Sequence, residues 1–325
     1  MSATPDHLVV LGDCRDVLAA VPEASIHLVV TSPPYWSIKD YGVPGQIGHG
    51  QRAEDYLEAI GDVLAHAFRV LHPGCRAAIN IADQYLRASE HGRYRVLPIP
   101  AELTVRGVRA GFDFMGSVIW RKISRTRTSG GGVLMGSVHF PRDGHVTYEH
   151  ESILLFRKPG AWPKPSSAAA LEASRIPLPE RSRWFRGIWD DVRPVFKQAG
   201  KGAMFPEDLP ARLIRMYSFA GDAVLDPFLG SGTTTRAAAA AGRRSLGVEL
   251  ARDCAPTIAE KTDGRALLAD WGSADARARL REWIEGGPSA GGAGKAGAGG
   301  ARTTAAAATA GASSRRSRCS SASAP

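Results

Sequence analysis

The chain has 325 residues, 44% hydrophobic and 22% charged, with a formal net charge of +9. That apolar share supports a buried core and excludes wholesale disorder, and no run of about 18 apolar residues offers a membrane span. The length fits about two domains, or one large α/β unit carrying an insertion.

The opening MSATPDHLVVLGD lacks the basic-then-apolar order of a secretory signal, so the cytoplasm is the expected compartment. Residues His7–Leu11 (HLVVL) read as a strand, and Ile26–Thr31 (IHLVVT) as a second that ends at Pro33-Pro34. Residues 56–71 carry Leu57, Ile60, Val63, Leu64, Ala67, Phe68 and Leu71 at helical spacing, and Pro73-Gly74 is the expected stop. Residues 77–81, 114–120 and 152–156 read as further strands. The Pro-, Ser- and Arg-rich stretch 157–186 breaks the rhythm and reads as an insertion. A helix is expected at 211–219, a strand at 223–228, a glycine turn, an Ala-rich helix to Ala241, and a strand at 245–249. Strands alternating with helices imply a parallel sheet covered on both faces. From residue 286 the chain is almost entirely Ala, Gly, Ser and Thr, too poor in apolar area to offset chain entropy, and is expected to be a disordered tail. Cys14, Cys75, Cys254 and Cys319 stand singly, so neither a metal site nor a disulfide framework is expected.

The charge is unevenly spread: net −3 over residues 1–120, +8 over 121–201, −1 over 202–285 and +5 over 286–325. A basic block interleaved with Trp162, Trp184, Phe185 and Trp189 suits a polyanion such as nucleic acid; a solvated basic surface over a few core aromatics fits equally. Arg125, Arg127, Arg181, Arg183 and Arg186 are the candidates for phosphate or base contacts, with target recognition expected in 121–188.

Asp226-Pro227-Phe228-Leu229-Gly230-Ser231-Gly232-Thr233 follows a strand and opens a helix, the setting of a ligand crevice. The dinucleotide pattern wants a third glycine where Thr235 stands, and a phosphate loop wants a lysine that is absent. Asp226 would repel a pyrophosphate but attract an ammonium group, and Glu249, ending the next strand, suits a ribose diol. A ligand with an amino acid part and a ribose but no phosphate fits both acids; S-adenosylmethionine is such a ligand.

Thr31-Ser32-Pro33-Pro34-Tyr35-Trp36 also leaves a strand. Two prolines stiffen this turn and remove two N–H donors. Ser32 Oγ, the Pro33 carbonyl and the Tyr35 face could hold a planar group bearing an NH2, aiming its lone pair at an electrophile. Cytosine C5 chemistry needs a thiolate, usually in a Pro-Cys turn, and no cysteine here follows a proline.

The two motifs, in this order, resemble those of the β-group amino-methylating (N4-cytosine/N6-adenine) DNA methyltransferases. The resemblance extends from residue 7 to about residue 260, through Gly12-Asp13-Cys14, AAINIAD at 77–83, Glu149-His150-Glu151, Trp189-Asp190-Asp191 and Phe205-Pro206-Glu207; Cys254 stands where the family often has an aromatic. It implies a circularly permuted, Rossmann-like α/β methyltransferase fold: a catalytic half at 1–120, a target-recognition insertion at 121–188, a cofactor half at 189–285 and the tail at 286–325. It implies base flipping from double-stranded DNA, with Ser32, Pro33, Pro34 and Tyr35 catalytic. Asp13, Phe205, Asp226, Phe228, Gly230, Ser231, Gly232, Thr233 and Glu249 are then the S-adenosylmethionine site. A cognate restriction endonuclease and either a monomer or a homodimer are compatible with it. Ser at the first motif position favours N4 of cytosine over N6 of adenine. Rival readings are an RNA or protein-glutamine methyltransferase, a silent DNA-binding module and a nicotinamide oxidoreductase.

Overall fold

Short aliphatic and β-branched runs form the strands of one large sheet, and the longer amphipathic segments between them form helices on its two faces. The computed structural model describes residues 5–122, 142, 149–195 and 206–287, all within the unit Met1–Gly291. The tail from residue 288 onward lies outside the described residues.

Strand β1 (His7–Leu11) is buried throughout. Asp13 caps the following helix α1 (Cys14–Ala20) by accepting the Arg15 N–H at 2.8 Å. Strand β2 (Ile26–Thr31) has the predicted bounds and leads into the double-proline turn. Helix α2 (Ala53–Val70) starts earlier than the periodicity suggests and buries Leu57, Ile60, Val63, Leu64 and Ala67.

Pro73-Gly74 does not stop that helix. It ends at Val70, and β3 (Leu71–Ile81) begins at once, with the prolyl-glycine pair inside it. The pairing with β2 jumps from Ile26–Leu71 to Leu28–Arg76. Pro73 has no ladder donor and Gly74 sits at φ +76°, so the pair makes an irregular strand entry.

A small antiparallel pair, β4 (Gln84–Leu86) and β5 (Arg95–Leu97), flanks α3 (Ala88–His91). Then come α4 (Ile99–Arg109), β6 (Asp113–Arg121), β7 (His150–Arg157), α5 (Ala168–Ala173), α6 (Leu178–Trp184) and β8 (Ile188–Trp189). The chain continues through α7 (Asp208–Tyr217), β9 (Ala223–Asp226), α8 (Thr233–Ala240), β10 (Arg244–Glu249), α9 (Ala255–Lys261), β11 (Ala266–Asp270) and α10 (Ala276–Glu285).

The main sheet has the order β11-β1-β10-β9-β2-β3-β7-β6-β8. All neighbours are parallel except at β7, which runs antiparallel to both β3 and β6. The parallel sheet expected from the strand–helix rhythm is present, with β7 its antiparallel exception: β6 and β7, consecutive among the described strands, pair directly. β7 also places part of the 121–188 block inside the sheet. Of that block's described residues between β7 and β8, the regular structure is confined to α5 and α6.

Side chains alternate across the sheet. Val29 and Leu225 join the core under α1, α2, α4 and α10, while Leu28, Val30 and Val224 join the core under α7 and α8. Burial on both faces is what gives these strands their unbroken apolar runs. Among the described residues no helix is long and apolar enough to cross a membrane.

Candidate active site

The adjacency of β2 and β9 brings the two turns together. Both strands point the same way, so the double-proline turn and the glycine turn leave the same sheet edge side by side. That edge is where open α/β sheets bind ligands. Strands β10 and β1 continue it and deliver Glu249 and Asp13. One cavity of about 460 Å³ is lined by Ser32, Pro33, Pro34 and Tyr35 at one end and by Asp13, Phe228, Gly230, Ser231, Thr233 and Glu249 at the other.

At the double-proline end, Tyr56 Oη donates to the Pro34 carbonyl at 2.9 Å. Pro33 lines the cavity beside it. Trp36 closes the turn at φ +34°, a strained value for a bulky residue. Burial of its ring and a bond from Nε1 to the Gln51 carbonyl at 2.9 Å hold it there.

Tyr35 is held by its hydroxyl. It donates to Glu151 Oε2 at 2.8 Å and accepts from Asn80 Nδ2 at 3.0 Å and Ser32 Oγ at 3.3 Å. Burial, and then the Glu151 carboxylate, push its ionisation well above the ordinary phenol range, so it stays a donor. Asn80 Nδ2 also donates to Glu151 Oε2 at 2.6 Å, and Lys122 Nζ pairs with Glu151 Oε1 at 2.6 Å. Asn80, Lys122 and Glu151 all line the cavity and were missed as site residues. A usable signal was present: Asn80 is a polar residue in the apolar run 77–81, and Glu151 lies in the Glu149-His150-Glu151 segment that carries the family resemblance.

At the glycine end, Gly230 (φ +60°) and Gly232 (φ +91°, the N-cap of α8) take left-handed backbone open to glycine at little cost. Glu249 braces the turn by accepting the Gly230 N–H at 2.7 Å and the Ala251 N–H at 2.8 Å. Burial raises its proton affinity above that of a free carboxylate. Lys261 Nζ reaches across from α9 to Ser231 Oγ at 2.8 Å and Thr233 Oγ1 at 2.6 Å. Burial also pulls the Asp13 carboxyl upward, but hydrogen bonds from Arg15 outweigh it and hold the group below its ordinary range. Tyr41 and Cys254 line the same end of the cavity.

Asp226 departs from expectation. Its side chain is 1% exposed and does not line the cavity. Its oxygens accept from Thr31 Oγ1 (2.6 Å), the Phe228 N–H (3.0 Å) and Thr234 Oγ1 (2.6 Å). It is the buried post on which the turn is built, and the expected contact with a ligand's ammonium group is corrected: the carboxylate is sealed beneath the floor. Gly232 likewise shapes the turn without lining the cavity.

Phe205, Arg125 and Arg127 lie outside the described residues. Arg181 and Arg186 are exposed. Arg183 is tied to Asp191 at 2.9 Å, and Asp191 also pairs with Arg212. Trp184 and Trp189 are core residues, 6% and 1% exposed, whereas Trp162 and Phe185 are more than half exposed.

This arrangement matches known proteins along most of its length. A family model described as DNA methylase matches residues 26–260. The type II methyltransferase M.MjaI of Methanocaldococcus jannaschii is 32% identical over 284 residues, spanning 79% of this chain and 91% of that one. M.MthZI of Methanothermobacter thermautotrophicus, also a type II methyltransferase, is 34% identical over 249 residues, spanning 70% and 68%. TTHA0409 of Thermus thermophilus, assigned as a DNA modification methylase and solved with S-adenosyl-L-methionine, superposes with a TM-score of 0.66 at 40% identity, covering 81% of this chain and 100% of that one.

Proposed function

The chain belongs to the DNA methylase family, and we propose that it methylates the exocyclic amine of a base flipped from double-stranded DNA, with S-adenosylmethionine as methyl donor and N4 of cytosine as target. The observation that carries this is the shared cavity: an acceptor-rich turn with an aromatic faces a glycine turn flanked by carboxylates.

The cofactor end fits its proposed occupant. Glu249 retains lone pairs after accepting two backbone N–H groups and suits a ribose diol, and Asp13 offers a second carboxylate. When bound, S-adenosylmethionine supplies a sulfonium methyl: the amine lone pair forms the N–C bond as the C–S electron pair returns to sulfur.

The chain's own part is orientation. Ser32 Oγ and the Pro33 carbonyl accept the two amine hydrogens, drawing the nitrogen lone pair out of conjugation and toward the methyl. Tyr35 stacks on the base, its ring fixed by its own hydroxyl bonds. Extrusion of the base costs a few kcal/mol, about what stacking and amine contacts return. Ser32 rather than a carboxylate at the first motif position supports cytosine. The exposed Arg181 and Arg186 support a DNA-facing role for the 121–188 block. The type II assignment of the relatives extends the reading to a cognate restriction endonuclease.

The test is to incubate the protein with unmethylated DNA and S-adenosylmethionine, digest to nucleosides and weigh the product. N4-methylcytosine is expected. N6-methyladenine would move the target to adenine, and unmodified DNA would overturn the reading.

A further inference from the structure

Glu151 carries a charge that the amine-binding turn does not itself explain. It is the second residue of β7, is 6% exposed, and lines the cavity beside Tyr35. Chemistry fixes the direction of each hydrogen around it. A carboxylate accepts, and an amide NH2 and a lysine ammonium donate. Tyr35 Oη accepts from Asn80 Nδ2 at 3.0 Å, so its own hydrogen goes to Glu151 Oε2 at 2.8 Å. Its oxygen then also accepts from Ser32 Oγ at 3.3 Å. The Ser32 hydrogen is spent inside the wall, and its lone pairs are left for the cavity.

We propose that Glu151 is the positioning residue that makes Ser32 an obligate acceptor for the target amine, and that it ends the path by which the surplus proton leaves. The proposal rests on the methyltransferase reading and deepens it. A serine hydroxyl is ambivalent: it could equally donate to a ring nitrogen and lose its hold on the amine. The anion behind Tyr35 removes that choice and polarises Ser32 Oγ, since aligned hydrogen bonds strengthen one another. The neutral turn thereby borrows from β7 the charge that a carboxylate at position 32 would carry itself. Lys122 Nζ at 2.6 Å and Asn80 Nδ2 at 2.6 Å hold the Glu151 carboxylate in place.

The proton balance follows the same line. Once the amine nitrogen has bonded to the methyl carbon it holds one hydrogen too many. That proton passes to Ser32 Oγ while Ser32 gives its own to Tyr35 Oη and Tyr35 gives its own to Glu151 Oε2. The neutral Glu151 returns it to water on the side of Lys122, which is 44% exposed.

The experiment is single-turnover transfer from tritiated S-adenosylmethionine to unmethylated plasmid DNA by the full chain. Glu151→Gln and Tyr35→Phe are each expected to slow transfer about 100-fold, within the usual range for proton-handling groups, while the KM for S-adenosylmethionine stays at the wild-type value. The double variant is expected to be no slower than either single one, because the residues act in series. Ser32→Asp in the Glu151→Gln background restores a carboxylate at the amine and is expected to recover about tenfold, or roughly 1.4 kcal/mol. In unliganded protein labelled with 13Cζ-tyrosine, Glu151→Gln is expected to shift the Tyr35 resonance, which is identified by its loss in Tyr35→Phe. Wild-type speed in Glu151→Gln, or multiplicative losses in the double variant, would overturn the proposal and leave the methyltransferase reading standing. Absence of transfer by the wild-type protein would overturn both. If Glu151→Gln does not fold, Tyr35→Phe, which deletes one oxygen, decides: an undiminished rate refutes the path.

Discussion

Thr31 Oγ1 donates to Asp226 Oδ1 across 2.6 Å, joining the last residue of β2 to the last residue of β9. These residues begin the two turns that form the cavity, so one buried bond sets the spacing of amine site and cofactor site. Thr31→Val keeps the shape and removes the donor. Loss of a hydrogen bond to a charged group predicts about 1.5–3 kcal/mol lower stability, measurable by urea denaturation. Methyl transfer should fall more than cofactor affinity, because the spacing between the turns is what is lost.

Burial also gives stability a definite pH behaviour. It pushes Asp226 and Asp222 up to about 6 and pushes His27 and His72 down to about 4. Between pH 4 and 6 the folded state holds protons on the two aspartates that the unfolded state releases, so their contribution to stability falls as pH rises. The histidines do the opposite, since the unfolded state binds the protons, and their contribution rises with pH over the same range. The four groups nearly cancel. Asp226→Asn removes one aspartate from the balance, so its unfolding free energy should rise with pH between 4 and 6 more steeply than that of the unmodified chain. Denaturant melts at pH 4, 5 and 6 check this, and a parallel pair of curves would refute the burial argument.

Glu249 serves the backbone and the cavity at once. Glu249→Ala orphans the Gly230 and Ala251 N–H groups and removes the carboxylate from the cofactor end. S-adenosylmethionine should bind at least about tenfold more weakly, the loss expected for a charge-assisted contact. Calorimetry on the DNA-free protein reads it directly.

The basic side chains of α6 and the turn after it are not equivalent. Arg181→Gln and Arg186→Gln should each weaken DNA binding across sequences and lower the salt slope by about 1. Arg183→Gln should do less, because Asp191 already holds that guanidinium at 2.9 Å. Fluorescence anisotropy at several salt concentrations separates the three.

Chain order and local pattern determined a good deal without any tertiary information. The bounds of β2, the strand–turn–helix around Gly230, the order of the two turns and the scarcity of useful cysteines all follow from neighbours within a few residues. Steric limits on proline and glycine and the period of apolar side chains act at that range. The bounds of α2 were less legible. Its N-terminal Ala53, Glu54 and Asp55 carry no apolar signal, and Pro73-Gly74 punctuates a strand rather than ending a helix.

Tertiary structure alone decided which polar groups meet. Asp226 reads as a ligand-facing acid until Thr31, brought from an adjacent strand, and Thr234 occupy its oxygens. Glu151 stands in a segment that the family resemblance marks, but its partners appear only when β7 inserts next to β3 and carries it to Tyr35 and Asn80. Trp184 and Trp189 read equally as nucleic-acid partners or as core aromatics, and only packing places them in the core. Side-chain alternation is written locally, but a hydrogen bond needs both partners, and which strands lie side by side is set by burying the whole sheet at once.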